Sequence, residues 1–79
     1  MTDTKIEGIL ASPPDREELV VQLFLREGGQ WGEVFREGGE YWIDIYRSEH
    51  EPPVRLPVGE MVTALTKSVE QLRERLKAN

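Results

Sequence analysis

The sequence predicts an α+β domain: an antiparallel β-meander of three to five strands, followed by one C-terminal helix packed on one sheet face. Three observations carry this. Apolar residues alternate from Leu19 through Val21 and Leu23 to Leu25, the period of two that marks one face of a strand. Glycine pairs at Gly28-Gly29 and Gly38-Gly39 set off two further β-prone runs, and such pairs tolerate the positive φ of tight hairpin turns. From Val58 onward, Met61, Val62, Leu65, Val69, Leu72 and Leu76 form one stripe on a 3.6-residue period.

Taken in chain order, residues 1–4 read as a flexible tail and residues 5–79 as a single domain, because a chain this short has no room for a second core. Ile6 to Ala11 can add a strand. Ser12-Pro13-Pro14-Asp15, followed by Arg16-Glu17-Glu18, can instead open a single helical turn. Strands follow over about 19–26, 31–36 and 41–47, the last rich in aromatic and β-branched residues. Pro52-Pro53 cannot sit in a helix or a central strand, so it closes this block. Val54-Arg55-Leu56 then makes a short edge strand. The helix covers about 58–77, with Pro57 suited to its first turn. Glu60 near its start and Arg73, Arg75 and Lys77 near its end complement the helix dipole.

The glycine turns set the register. A two-residue loop at Gly38-Gly39 places Arg36 opposite Tyr41, Phe35 opposite Trp42, Val34 opposite Ile43, Glu33 opposite Asp44 and Trp31 opposite Tyr46. The same loop at Gly28-Gly29 sets Leu25 against Gly32, Phe24 against Glu33 and Leu23 against Val34. One face then holds Leu19, Val21, Leu23, Leu25, Val34, Ile43 and Ile45, an aliphatic surface for the helix stripe, with Gly32 allowing close approach. Leu23, Val34, Ile43, Ile45, Leu65 and Val69 are the expected core. The opposite face holds Phe24, Trp31, Phe35, Trp42 and Tyr46, with Glu33 and Asp44 among them. With the only long helix committed elsewhere, this aromatic face is the expected interface, unless residues 5–18 fold across it. Glu33 opposite Asp44 sets like charges together; two solvated carboxylates are the simpler expectation, and relief by Arg26, Arg36 or a cation on a partner the other.

Composition narrows the function. There is no cysteine, which excludes a disulfide framework and a thiolate zinc site. Ten Lys and Arg against fifteen Asp and Glu give a net charge of −5, which argues against nucleic-acid binding through phosphate contacts. The longest apolar runs, Leu19-Val20-Val21 and Leu23-Phe24-Leu25, fall far short of the ~20 residues that span a bilayer. Met1-Thr2-Asp3-Thr4-Lys5 does not read as a secretory signal, so the expected location is the cytoplasm.

No catalytic constellation is visible, and no catalytic, metal-binding or cofactor residues are assigned. His50 lies between Glu49 and Glu51, but neighbours on an extended segment point to opposite sides. Ser12, Ser48 and Ser68 have no base at a recognisable spacing, and the glycine pairs lack the pattern of a phosphate loop. No small-molecule substrate is evident. In strand order alone, the meander followed by a helix resembles the PC4-type single-stranded DNA binders, which are dimers. That resemblance implies base stacking on the aromatic face, while Glu33 and Asp44 on that face oppose phosphate. The expected function is a non-catalytic protein–protein interaction or regulatory module, with the homodimer as its simplest form. The alternative is a single-stranded nucleic-acid binder using the same face.

Overall fold

A computed structural model describes residues 5–77. The expected tail, residues 1–4, and residues 78–79 lie outside the described residues. Five strands, β1 (Ile6–Ala11), β2 (Val20–Leu25), β3 (Gln30–Glu37), β4 (Glu40–Ile45) and β5 (Val54–Pro57), are followed by α1 (Val58–Lys77). The strands pair antiparallel in the order β1-β2-β3-β4-β5, a meander throughout. Both optional strands of the sequence reading therefore form, and Ser12 to Glu18 is a loop with a turn closed from Arg16 N–H to Pro13 O.

The β3–β4 hairpin is as the glycine pair dictates. Gly38 and Gly39 both have positive φ, 62° and 81°, the signature of a type I′ turn. Val34 pairs with Ile43, Glu33 with Asp44 and Phe35 with Trp42. The β2–β3 register departs from expectation. Val21, not Leu23, pairs with Val34, and Leu23 pairs with Gly32. The turn is made differently: Gly28 N–H donates to Leu25 O, and Leu25 N–H donates to Gly29 O, leaving Arg26 to Gly28 in the loop. Beyond it, Phe24 pairs with Gln30 while Leu23 pairs with Gly32, so Trp31 is the extra residue of a β-bulge. Between Gly32 and Val34 the shift from the expected register is two residues, an even number, so every side chain keeps its face.

The aliphatic face therefore collects Val21 and Leu23 from β2, Val34 from β3 and Ile43 and Ile45 from β4. The flanking strands extend it with Ile6 and Leu10 from β1 and Val54 and Leu56 from β5. Gly32 serves strand packing rather than helix approach: a Cβ there would stand 2.8 Å from the backbone oxygen of Asp44.

α1 packs on the sheet at β4 and β5, with Val58 and Met61 half-buried at its first turn. Past that turn its apolar stripe is uncovered. Leu65 and Val69, expected in the core, are 58% and 48% exposed. The cause is local. Pro57 ends β5 and Val58 begins α1, so no loop residues reverse the chain. A helix of this length runs about 30 Å, and the longest extent of the molecule is 52 Å. Of the other expected core residues only Ile43 is fully buried; Leu23, Val34 and Ile45 are half-buried. The remaining buried residues, Val20, Gly32, Glu33, Phe35 and Asp44, include three of the opposite face's most polar or aromatic members.

Candidate functional site

The aromatic face was expected to lack an intramolecular cover, and the structure corrects this. Phe35, on the central strand β3, is 3% exposed. Two guanidinium groups cap its ring: Arg16, from the β1–β2 loop, at 3.9 Å from the ring centroid, and Arg55, from β5, at 4.7 Å. A cation over an aromatic face is attracted by the ring quadrupole, and the planar guanidinium suits such stacking better than an ammonium group.

The same two arginines neutralise the cross-strand carboxylates. Arg55 donates from Nε to Asp44 Oδ1 at 2.8 Å and from Nη2 to Asp44 Oδ2 at 3.1 Å, a bidentate fork. Register places it there, since Asp44 pairs with Arg55 across β4 and β5. Arg16 Nε lies 2.6 Å from Glu33 Oε1, and its Nη2 lies 3.7 Å from Asp44 Oδ2. The Arg16–Glu33 contact is an ion pair without hydrogen-bond alignment, for Glu33 Oε1 accepts no hydrogen bond among the described residues. Tyr46 Oη donates to Glu33 Oε2 at 3.0 Å. Its phenol is pushed up to about 12, first by burial and then by the Glu33 hydrogen bond and negative charge. The hydrogen bond to Asp44 raises the Arg55 guanidinium above its ordinary value, outweighing burial.

Arg36, proposed from sequence as one relief of the Glu33–Asp44 conflict, is engaged elsewhere. It pairs with Glu18 at the surface, which lowers the Glu18 carboxyl through hydrogen bond and charge. The other expected site residues are spread around the capped ring. Trp42 is half-buried, its Nε1 donating to Glu37 O at 3.3 Å. Phe24 is half-buried beside the bulge. Trp31 is half-buried at the bulge itself, with its indole N–H buried and without an acceptor among the described residues. Tyr46 keeps an exposed edge. Sequence reasoning missed Arg16 and Arg55. A signal for Arg55 was present: an arginine between Val54 and Leu56 on a strand beside β4 must share a face with Asp44 or its neighbours.

The surface left open is the aliphatic one. Ile6, Leu10, Leu25 and Leu56 on the sheet, and Val62, Leu65, Val69, Leu72 and Leu76 on α1, are all exposed. Single exposed apolar residues are ordinary, whereas here they recur along one face of the sheet and along the stripe of α1. Among the described residues no group of three His, Asp or Glu side chains is placed to hold a metal ion, and no helix is long and apolar enough to cross a membrane. Compared with known proteins, the chain matches no family model, no curated sequence and no solved structure.

Proposed function

We propose that the protein is a non-catalytic protein–protein interaction module whose binding surface is the aliphatic sheet face together with the α1 stripe. One observation carries this reading: Leu10, Leu25 and Leu56 on the sheet and Val62, Leu65, Val69, Leu72 and Leu76 on α1 are exposed, while two carboxylates, Glu33 and Asp44, are buried. A folded chain gains roughly 25 cal/mol for each Å² of apolar surface removed from water, so an exposed run of this kind is a reservoir for binding another surface. The aromatic face is a poorer candidate. Its central ring is already capped, and the capping cations are engaged by Glu33 and Asp44. The same engagement weighs against the nucleic-acid alternative, which needs open rings beside cations free to meet phosphate.

A paired substitution tests the assignment. Leu10→Glu with Leu25→Glu should keep the far-ultraviolet circular dichroism of the native fold while abolishing association and the binding of an apolar-surface dye. Loss of the fold in a chain that is monomeric to begin with would show that this face is internal core and would reject the reading.

A further inference from the structure

Resting on that reading, we infer that the occupant of the open surface is a second copy of this chain. The α1 stripe of each copy lies on the aliphatic sheet face of the other.

The area fits. The chain exposes 6812 Å², whereas a compact monomer of 9.1 kDa exposes about 4,900 Å². Less than half of that excess supplies the ~800 Å² that each partner contributes to a standard interface. The radius of gyration, 15.5 Å, exceeds the about 12 Å of a compact chain of this length.

The shapes fit as well. From Val62 to Leu76 the stripe runs about 21 Å at 1.5 Å per residue. Across five strands the sheet is about 19 Å wide at about 4.8 Å per spacing. Each copy offers one stripe and one face, so a two-fold axis covers both at once and leaves neither surface over. With no loop between β5 and α1, only the first turn of the helix packs on its own sheet, at β4 and β5.

Charge favours helix on sheet over two helices paired in parallel. Residues 5–57 carry six Lys and Arg against eleven Asp and Glu, while α1 carries four Lys and Arg against three Glu. The last turns of α1 hold Arg73, Arg75 and Lys77 with Glu74. Laid across the mate, this basic end meets an acidic body. Two α1 helices paired in parallel would instead set Arg73 beside the mate's like end, and the stripe is too short for a stable coiled coil.

The sequence has no cysteine, so site-specific cross-linking starts from a clean background. Chains bearing Leu65→Cys and chains bearing Val34→Cys are mixed and treated with a short bis-maleimide, while sedimentation follows the unmodified chain from micromolar to millimolar concentration. The expected result is a dimer that cross-links helix to sheet between the two chains. Leu65→Glu should weaken it about 100-fold, as loss of an interface anchor does, and Lys67→Glu, off the stripe, should change it less than about threefold. A chain that stays monomeric at millimolar concentration, yet binds an apolar dye and folds normally with Leu65→Glu, overturns the second copy and leaves the docking surface standing. A monomer that unfolds with Leu65→Glu overturns both. A dimer joined through Trp42, or only helix to helix, overturns the stated geometry.

Discussion

On one face of the sheet Asp44 keeps 4% of its surface; on the other, Leu10 keeps 65%. The more polar face is the better buried. What separates the two is delivery of a cover. The β1–β2 loop and strand β5 each bring an arginine over Phe35, and those arginines find carboxylates in place. Among the described residues the element with a matching stripe, α1, leaves β5 without a loop and buries only its first turn against β4 and β5, so the rest of the stripe stays uncovered. Burial in this chain follows connectivity as much as hydrophobicity. A buried ion pair carries a desolvation cost that its attraction only partly offsets, so the capped face holds its arrangement chiefly because breaking it is costly.

Removing the capped ring should therefore do the most damage. Phe35→Ala is expected to cost about 3–5 kcal/mol, a large part of the total stability of a small domain. Urea denaturation measures it, and a loss below about 1 kcal/mol would break the distinction between a closed and an open face. Removing the carboxylate beneath the arginines should come next. Asp44→Ala leaves Arg55 without its fork, and about 2–3 kcal/mol is expected. This is less than for a fully buried pair, because the Arg55 side chain is 47% exposed and screened by water.

On the open face the expected effect is small. In the dissociated chain, Leu65→Ala should change stability by no more than about 0.5 kcal/mol, against the ~2–5 kcal/mol that a core position would show. Denaturation at low and at high protein concentration separates a stability effect from an association effect.

The closed face also carries a pH dependence. The Tyr46 phenol titrates near 10 when unfolded and at about 12 when folded. Between those values the unfolded chain releases the proton first. The unfolded state then binds fewer protons, and stability falls as pH rises. The contribution is fully present below pH 10 and is lost through pH 12. Tyr46→Phe should flatten that alkaline limb. An unchanged limb would mean that neither burial nor the Glu33 hydrogen bond raises the phenol.

How much of this was legible depended on which residues set the geometry. The β3–β4 register could be read because Gly38-Gly39 closes a two-residue loop, which leaves one alignment. The β2–β3 register could not, because Gly28-Gly29 is only part of its turn and Trp31 bulges. Face assignments survived because the slip was even. The helix stripe was plain, but its partner was not: amphipathicity says that a face wants cover and is silent on whose surface provides it. Arg16 was hidden because nothing local in Ser12 to Leu19 fixes where that loop crosses the sheet. Arg55, set opposite Asp44 by strand alternation, could have been found once β5 was accepted as a paired strand.

The most direct measurement is isotope-filtered methyl NMR on a mixture of labelled and unlabelled chains at millimolar concentration. It reports only contacts between different copies. The expected result is a set of intermolecular contacts from the methyl groups of Leu65, Val69 and Leu72 to those of Val21, Leu23 and Val34, with none from the ring of Phe35. Intermolecular contacts centred on Trp42 and Tyr46 instead, or the helix-to-sheet contacts appearing only within one chain, would contradict the assignment of the closed and the open face.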